Sequence, residues 1–489
     1  MKRDVVVIGA GPHCLSLVVR LACHHPWDEC TFDVNGNQRA FDSKEHFSAH
    51  QCSPFNLENL LVVDPAGCWL NGWKKNFETL QISHLRSTVL VHSDAFDSLS
   101  MLEYIQNNSI TNLPNVFDTL HNKKKRRNRR KKTKTLNNTH NPFNEAQRKF
   151  FTIPTSQVFL DHAKWLIDKH SLHDIVQKDT ATKIEYVRGE EYPMKVHMAS
   201  GETVEAKNVV YAGNQSVNTI PRWAPRCHPK IFHSSCINRL EECLNGSKQK
   251  ILVVGGGLSA IGAALAAANL GHCVSVISRS KLKVKQFDIP PVWMSPLRNS
   301  EFSKFYSLSI PERYQLIQAV RDGGSITPDA YQKFLLAVKN NQITFYENAE
   351  VVNVEDKNGD LYVHMNTCDG HVESFDSVVL GTGERFSIDE IPLLGDFKKD
   401  HPIDTFKELP KLTTNLQWSD EIPLYLMGAY TSLEVGPDAL NLMGGQVSAS
   451  RIAPNLSSNE CAEDSEEEHE TPHHSLTSIH LCNRFSGLI

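Results

Sequence analysis

The 489-residue chain lacks any uninterrupted apolar run of the roughly 18 residues that a membrane-spanning helix needs. Met1-Lys2-Arg3-Asp4 leads straight into apolar residues with no signal-type stretch. Without a membrane span, a soluble cytoplasmic protein is expected. The twelve cysteines include no C-x-x-C pair and no Cys/His cluster at zinc spacing, so no structural metal and no short-spaced redox dithiol are visible. Most of them read as small buried hydrophobes. Strong charge of either sign is missing too. A net charge of -5 gives no whole-protein attraction to nucleic acid or anionic membrane, which leaves such partners to local patches. With 40% apolar and 22% charged residues, the chain has enough material for two or three packed domains.

What is present repeats itself. Val5 to Leu21 reads VVVIGAGPHCLSLVVRL, an apolar strand, a glycine turn and an amphipathic helix. Ile251 to Leu270, ILVVGGGLSAIGAALAAANL, repeats that order 246 residues later and runs into a second apolar strand, Cys273 to Ile277. Each opening is followed by short alternating strands ending in a buried strand and a glycine: TKIEYV, MKVHM, ETVEA and NVVYAG up to Gly213, then VVNVE, LYVHM, HVESF and SVVLGTG up to Gly383. The fold class expected is α/β, with two Rossmann-like dinucleotide-binding domains, each carrying a small β-meander. The expected division is 1–220 for the first domain, with insertions at 24–59 and 121–145. The second, inserted domain takes 221–375, the first resumes over 376–454, and 455–489 forms an acidic, disordered tail.

The glycine turns carry the chemistry. Gly9 permits the tight turn, Gly11 lets backbone approach a diphosphate, and the helix begun by Pro12 offers free N–H groups and a positive dipole end. Cys14 occupies the third fingerprint position, where glycine or alanine is usual. A ribose-binding acid belongs at the end of the second strand, and the choice lies between Asp33 and Asp64. Asp64 is the better placed, since it closes the apolar run Leu60-Leu61-Val62-Val63, although it lies 55 residues past Gly9. In the second turn Gly255, Gly257 and Ser259 take the corresponding places. Its following strand ends in Ser278-Arg279-Ser280-Lys281 without a carboxylate. An acid there would repel a 2′-phosphate, whereas Arg279 can pair with one, so NADPH is favoured over NADH. Two dinucleotides in one chain, the first domain resuming after the second, point to hydride passing from a nicotinamide to a flavin. With no cysteine pair to receive the electrons, oxygen is the expected acceptor.

Several spaced segments resemble the class B flavin monooxygenases, and among them the N-hydroxylating enzymes that act on ornithine or lysine amines. Asp64-Pro65-Ala66-Gly67-Cys68-Trp69 is similar to the turn from the ribose acid to a flavin-contacting tryptophan. Leu80-Gln81-Ile82-Ser83-His84-Leu85-Arg86 resembles the family's LQISFLK stretch, and Ile153-Pro154 with Phe159, His162 and Trp165 the helix after it. Phe232-His233-Ser234-Ser235 resembles the approach to the NADPH domain. Gly381-Thr382-Gly383-Glu384-Arg385-Phe386 is similar to the ATGYRF element, and Gly436 to Leu442, including Leu440, to a helix closing over the flavin. The resemblance implies FAD and NADPH as cofactors, oxygen capture at flavin C4a, and transfer of one oxygen atom to a small nucleophile such as an amine. It gives Gln81 a donor role at the reacting centre, the alternative being a local backbone cap. Arg86 stands where the family's lysine holds the substrate carboxylate, and a structural salt bridge is the competing reading. Thr155 and Leu70 also replace the arginine and histidine usual at those places, so the substrate is left open.

A weaker similarity to the oxidative-stress-induced growth inhibitors implies a second reading, a FAD-binding regulatory protein with little turnover; an NADPH–flavin oxidase is a third. Lys123 to Lys134 holds ten Lys or Arg in twelve positions and reads as a solvated loop, with nuclear import the next reading. No aromatic residue interrupts it, which argues against base stacking on nucleic acid.

Overall fold

In the computed structural model, which describes residues 1–23, 55–116, 149–213, 215–294, 298–366 and 371–457, the first apolar run becomes the strand β1 (Lys2–Ile8). Val5, Val6 and Val7 are fully buried, as expected of a parallel strand covered on both faces. It pairs in parallel with β2 (Leu60–Asp64) on one side and with Thr203–Tyr211 on the other. The main path of this sheet runs Gln417–Ser419, Ile422–Leu426, Thr203–Tyr211, β1, β2, Val176–Lys178. Every pairing along it is parallel except that of Gln417–Ser419 with Ile422–Leu426. Thr203–Tyr211 is long enough to do two jobs: its first half closes the antiparallel meander with Met194–Met198 and Ala181–Tyr186, and its second half lies in the central sheet. Helix α1 (Pro12–Ala22) packs against the C-terminal helix Leu442–Ser457, burying one face of this sheet.

The second sheet is wholly parallel, in the order Ile343–Glu347, Cys273–Ser278, Lys250–Val254, Ser377–Leu380, Ile231–His233. Its own three-stranded antiparallel meander is Val351–Lys357, Asp360–Met365, Val372–Phe375. The chain thus leaves the first sheet after Tyr211, builds the second, and returns to complete the first with Ile422–Leu426. At the crossing the outgoing segment Val217–Asn218 pairs antiparallel with the incoming Glu384–Arg385.

Three expected boundaries move. Ser377–Leu380 pairs with both Lys250–Val254 and Ile231–His233, so the second domain runs through Leu380 and does not stop at 375. A four-residue apolar strand carries no periodicity that assigns it to one sheet. Within the insertion expected at 24–59, Leu57–Asn59 form one 3-10 turn, capped by the Asn56 side chain, that leads into β2. The last helix runs past Pro454 to Ser457. Asp33, the basic run 123–134 and residues 458–489 lie outside the described residues.

Candidate active site

At the first glycine turn, Gly9 donates its N–H to Val63 O at 2.8 Å and adopts φ +101°. A side chain there would crowd the backbone of Gly213, 3.0 Å from the position of its Cβ; only glycine meets both demands. Gly11 is different. It caps α1 in extended backbone, no side chain caps the helix, and a Cβ added to it would meet nothing within 4 Å. Among the described residues no side chain caps the first turn of α1, and the space beside Gly11 is open, which fits an incoming diphosphate.

Asp64 ends β2 beside this turn. Its carboxylate accepts the N–H of Ala10 at 3.0 Å and of Ala66 at 2.8 Å, so the acid stiffens the turn and keeps lone pairs for a ribose hydroxyl. The chain then folds back: Leu70 N–H donates to Ala10 O at 2.9 Å, with Leu70 in the left-handed region. Trp69 donates its indole N–H to Leu172 O at 2.9 Å, which fixes the ring by its edge while it packs, half-buried, against the first core. Cys14, fully buried, has its thiol pushed well up by burial and then by the Asp64 charge, and serves as a small packing residue.

His13 pins the C-terminal element to this cradle. Its Nε2 lies 2.9 Å from Asn441 O, a contact that requires the proton on Nε2. A Cβ on Gly445 would press into the same ring, 2.7 Å from its Cδ2. Burial lowers the imidazole from its ordinary 6.5 to about 4, and the Asn441 hydrogen bond only partly offsets this. Asp438, three residues before Asn441, is fully buried, with Oδ1 accepting Asn441 Nδ2 at 3.2 Å and Oδ2 without a partner among the described residues. Burial pushes its carboxyl up to about 7, against the pull of Asn441, Arg321 and Arg298. Leu440, between them, is half-buried.

The second turn has the same construction. Gly255 adopts φ +140° and donates to Ile277 O at 2.9 Å, and a Cβ on it would collide with the carbonyl oxygen of Gly381. Gly256 sits against the Ser278 hydroxyl, while Gly257 opens the helix Leu258–Asn269 with nothing within 4 Å of its Cβ position. Ser259 and Arg279 are both exposed. These residues fit a second diphosphate and a flanking phosphate. Gly381 packs so tightly on Ala260 that it belongs to the floor of this second turn. Thr382 and Gly383 bind the crossing: the Thr382 hydroxyl donates to Thr219 O at 2.5 Å, and Gly383 O accepts Thr219 N–H at 3.0 Å.

Two expected site residues lie at the seam between the domains. Gln81, exposed and at φ +50°, accepts the Asn269 side-chain amide on Oε1 at 2.7 Å. Asn269 ends the helix that Gly257 begins, roughly 18 Å away along its axis at 1.5 Å per residue. Gln81 therefore ties the two domains together through its Oε1, a contact that leaves its amide N–H donors unused. Arg86 donates Nε–H to Gln286 O at 3.2 Å, one η nitrogen to Ser325 O at 3.2 Å and to Asp288 at 2.7 Å, and the other to Lys285 O at 3.1 Å and to Ser325 Oγ at 2.9 Å. These contacts use all five guanidinium N–H donors. None remains for a substrate carboxylate, so the competing salt-bridge reading of Arg86 is the one the geometry favours.

Sequence reasoning missed Asp438, His13 and the loop Arg321-Asp322-Gly323-Gly324-Ser325. Asp438 and His13 stood inside quoted motifs with no role, because burial is invisible in a motif. The loop was legible, since Asp-Gly-Gly after a helical stretch is a turn signal.

Residues 143–386 match the family model described as L-lysine 6-monooxygenase/L-ornithine 5-monooxygenase. The chain is similar in fold to an ornithine N-hydroxylase from Kutzneria sp. 744, solved with reduced FAD, NADP+ and L-ornithine, at 16% identity and TM-score 0.64 over 94% of this chain and 100% of that one. Ornithine hydroxylase PvdA from Pseudomonas aeruginosa gives 16% identity and TM-score 0.62, covering 94% and 99%. The cadaverine monooxygenase DfoA from Erwinia amylovora, solved with FAD, gives 14% and 0.60, covering 97% and 99%. No curated protein matches the sequence.

Proposed function

We propose that this chain, whose residues 143–386 match the L-lysine 6-monooxygenase/L-ornithine 5-monooxygenase family model, is an FAD- and NADPH-dependent monooxygenase that places one oxygen atom from O2 on a small nucleophile, with an amine as the leading class. The observation that carries the proposal is the pair of open glycine cradles at Gly11 and Gly257, built alike on two parallel sheets. Bound FAD supplies a carrier that takes hydride from NADPH and hands electrons to oxygen.

The chain's own residues bind and orient. Gly9, Gly11 and Pro12 present the α1 N-terminus to the FAD diphosphate, Asp64 takes a ribose hydroxyl, and Trp69 offers a ring face. Gly255, Gly257 and Ser259 do the same for NADPH, and Arg279 pairs with the 2′-phosphate. His13 stays neutral and holds the Asn441–Leu442 helix start over the first cradle. Asp438, raised by burial to about 7, is divided near neutral pH between its acid and carboxylate forms, the range in which a carboxyl can exchange a proton. Among the described residues no helix is long and apolar enough to cross a membrane.

The second reading, a FAD-binding regulatory protein with little turnover, is favoured by one observation: Gln81 and Arg86 are both engaged in the domain seam. Anaerobic titration of the purified flavoprotein separates the two. Bleaching of bound flavin by NADPH, much faster than by NADH, followed by amine-dependent oxygen uptake and a hydroxylamine product, supports the enzyme. Bound flavin that NADPH leaves yellow overturns it in favour of the regulator.

A further inference from the structure

The loop between the helices Ile310–Arg321 and Pro328–Lys339 belongs to the second domain, yet both of its ends are tied to the first. At one end Arg321 donates an η N–H to Pro437 O at 3.0 Å, in the segment that closes over the first cradle. At the other, Ser325 receives Arg86 through its carbonyl and its hydroxyl, and Arg86 also grips the strand-like run Lys285–Asp288 beside it. The grip is reciprocal, because Gln286 donates its amide to Arg86 O at 3.2 Å. Ile326 is stitched to the same run by Ile326 N–H to Lys283 O and Lys285 N–H to Ile326 O, each 2.9 Å. Asp322 adopts φ +49° and holds Lys283 and Lys285, both at 2.8 Å, while Gly323 takes φ +72°.

Between the two anchors lies the part that matters. A Cβ built on Gly324 would stand 3.6 Å from Gly257 Cα, the glycine whose own Cβ position is otherwise open. The Gly324 position thus points at Gly257, at the start of the helix Leu258–Asn269, while the Cβ direction of Gly257 itself stays open, so the loop runs beside the mouth of the second cradle.

We propose that Arg321–Ile326 is a strap across the second diphosphate site, and that Arg86 and Arg321 are positioning residues that hold it from the flavin domain. The inference rests on the dinucleotide reading above and deepens it: affinity for NADP(H) is set partly by contacts outside the domain that binds it. Arg86 acts on the nicotinamide cofactor and not on the substrate's anionic group. Its five donors meet in one place, where a lysine offers three in a different geometry.

The test uses full-length FAD-loaded protein, with NADP+ as probe in titration calorimetry. For Arg86→Gln and Arg321→Gln the NADP+ dissociation constant is expected to rise roughly tenfold to a hundredfold, the range for losing hydrogen bonds to a charged donor. In Arg86→Gln, FAD content and the KM for amine stay unchanged. Arg86→Lys recovers part of the affinity. Gly324→Val leaves both arginines in place, puts a side chain where the strap faces Gly257, and raises the constant at least tenfold, so the test remains decisive if Arg86→Gln does not fold. Unaltered NADP+ binding in Arg86→Gln and Gly324→Val overturns the strap. So does an Arg86→Gln defect confined to the KM of amines that bear a carboxylate. Wild-type protein that binds no NADP+ overturns the dinucleotide reading itself, a separate and recognisable failure.

Discussion

Acid should weaken this protein through one imidazole whose cost can be worked out in advance. His13 is buried at the second position of α1, where the dipole of the helix start and the loss of water both oppose a positive charge. Its folded value of about 4 lies below the ordinary 6.5. In the unfolded chain the ring takes up a proton below 6.5, while in the folded chain it does not, so stability present at neutral pH is lost as pH falls through that window. The full loss over the 2.5-unit gap is about 3 kcal/mol, and at pH 5 it is about 2 kcal/mol. His13→Gln keeps an N–H that can reach Asn441 O and cannot titrate. Urea unfolding of both proteins at pH 7.5 and 5.0 should give free energies within about 1 kcal/mol at the higher pH. At pH 5 the wild type should have lost about 2 kcal/mol that the variant keeps. Parallel decline of the two proteins between those pH values would refute the reasoning, because other titrating groups are common to both.

Other perturbations probe other parts of the site. Gly11→Val places its branches in open space, so the fold should persist while flavin absorbance per mole of protein collapses; retained flavin would put the diphosphate elsewhere. Gly257→Asp should keep flavin and lose reduction by NADPH, since a carboxylate there repels the diphosphate. Arg279→Glu should lower the ratio of kcat/KM for NADPH over NADH by roughly tenfold to a hundredfold, and an unchanged ratio would mean that the 2′-phosphate is read by another residue. Arg313 joins Glu434 at 3.1 Å, with both side chains only 14% exposed. Removing it as Arg313→Met should cost about 3 kcal/mol in urea unfolding, and a loss below about 1 kcal/mol would show the pair to be screened by water.

The parts of the molecule that were legible in the sequence are those fixed by local demands. A β-branched run, a glycine that must take positive φ and a helix start lie within ten residues of each other in VVVIGAGP, so the text itself carries the cradle. The nested order of the sheets was legible because the meanders repeat. Placement of Gln81 and Arg86 was not, because a motif specifies a residue and not the partner that captures its side chain. For Arg86 that partner is a loop some 200 residues distant, supplied by another domain. Asp438 was hidden for a similar reason: its altered carboxyl depends on desolvation by surrounding segments, Arg298 and Arg321 among them. The choice between Asp33 and Asp64 turned on which strand lies next to β1. The pairing of Val5 to Ile8 with Leu60 to Val63 puts Asp64 at the cradle, and Asp33 lies outside the described residues.

The paired crossing strands, Val217–Asn218 beside Glu384–Arg385, have an architectural corollary. The inserted domain begins and ends at one spot, about 5 Å from strand to strand, so it behaves as a cassette plugged into a socket. Such a module can be exchanged, lost or reoriented without reordering the host sheet, whose remaining strand simply arrives later in the chain.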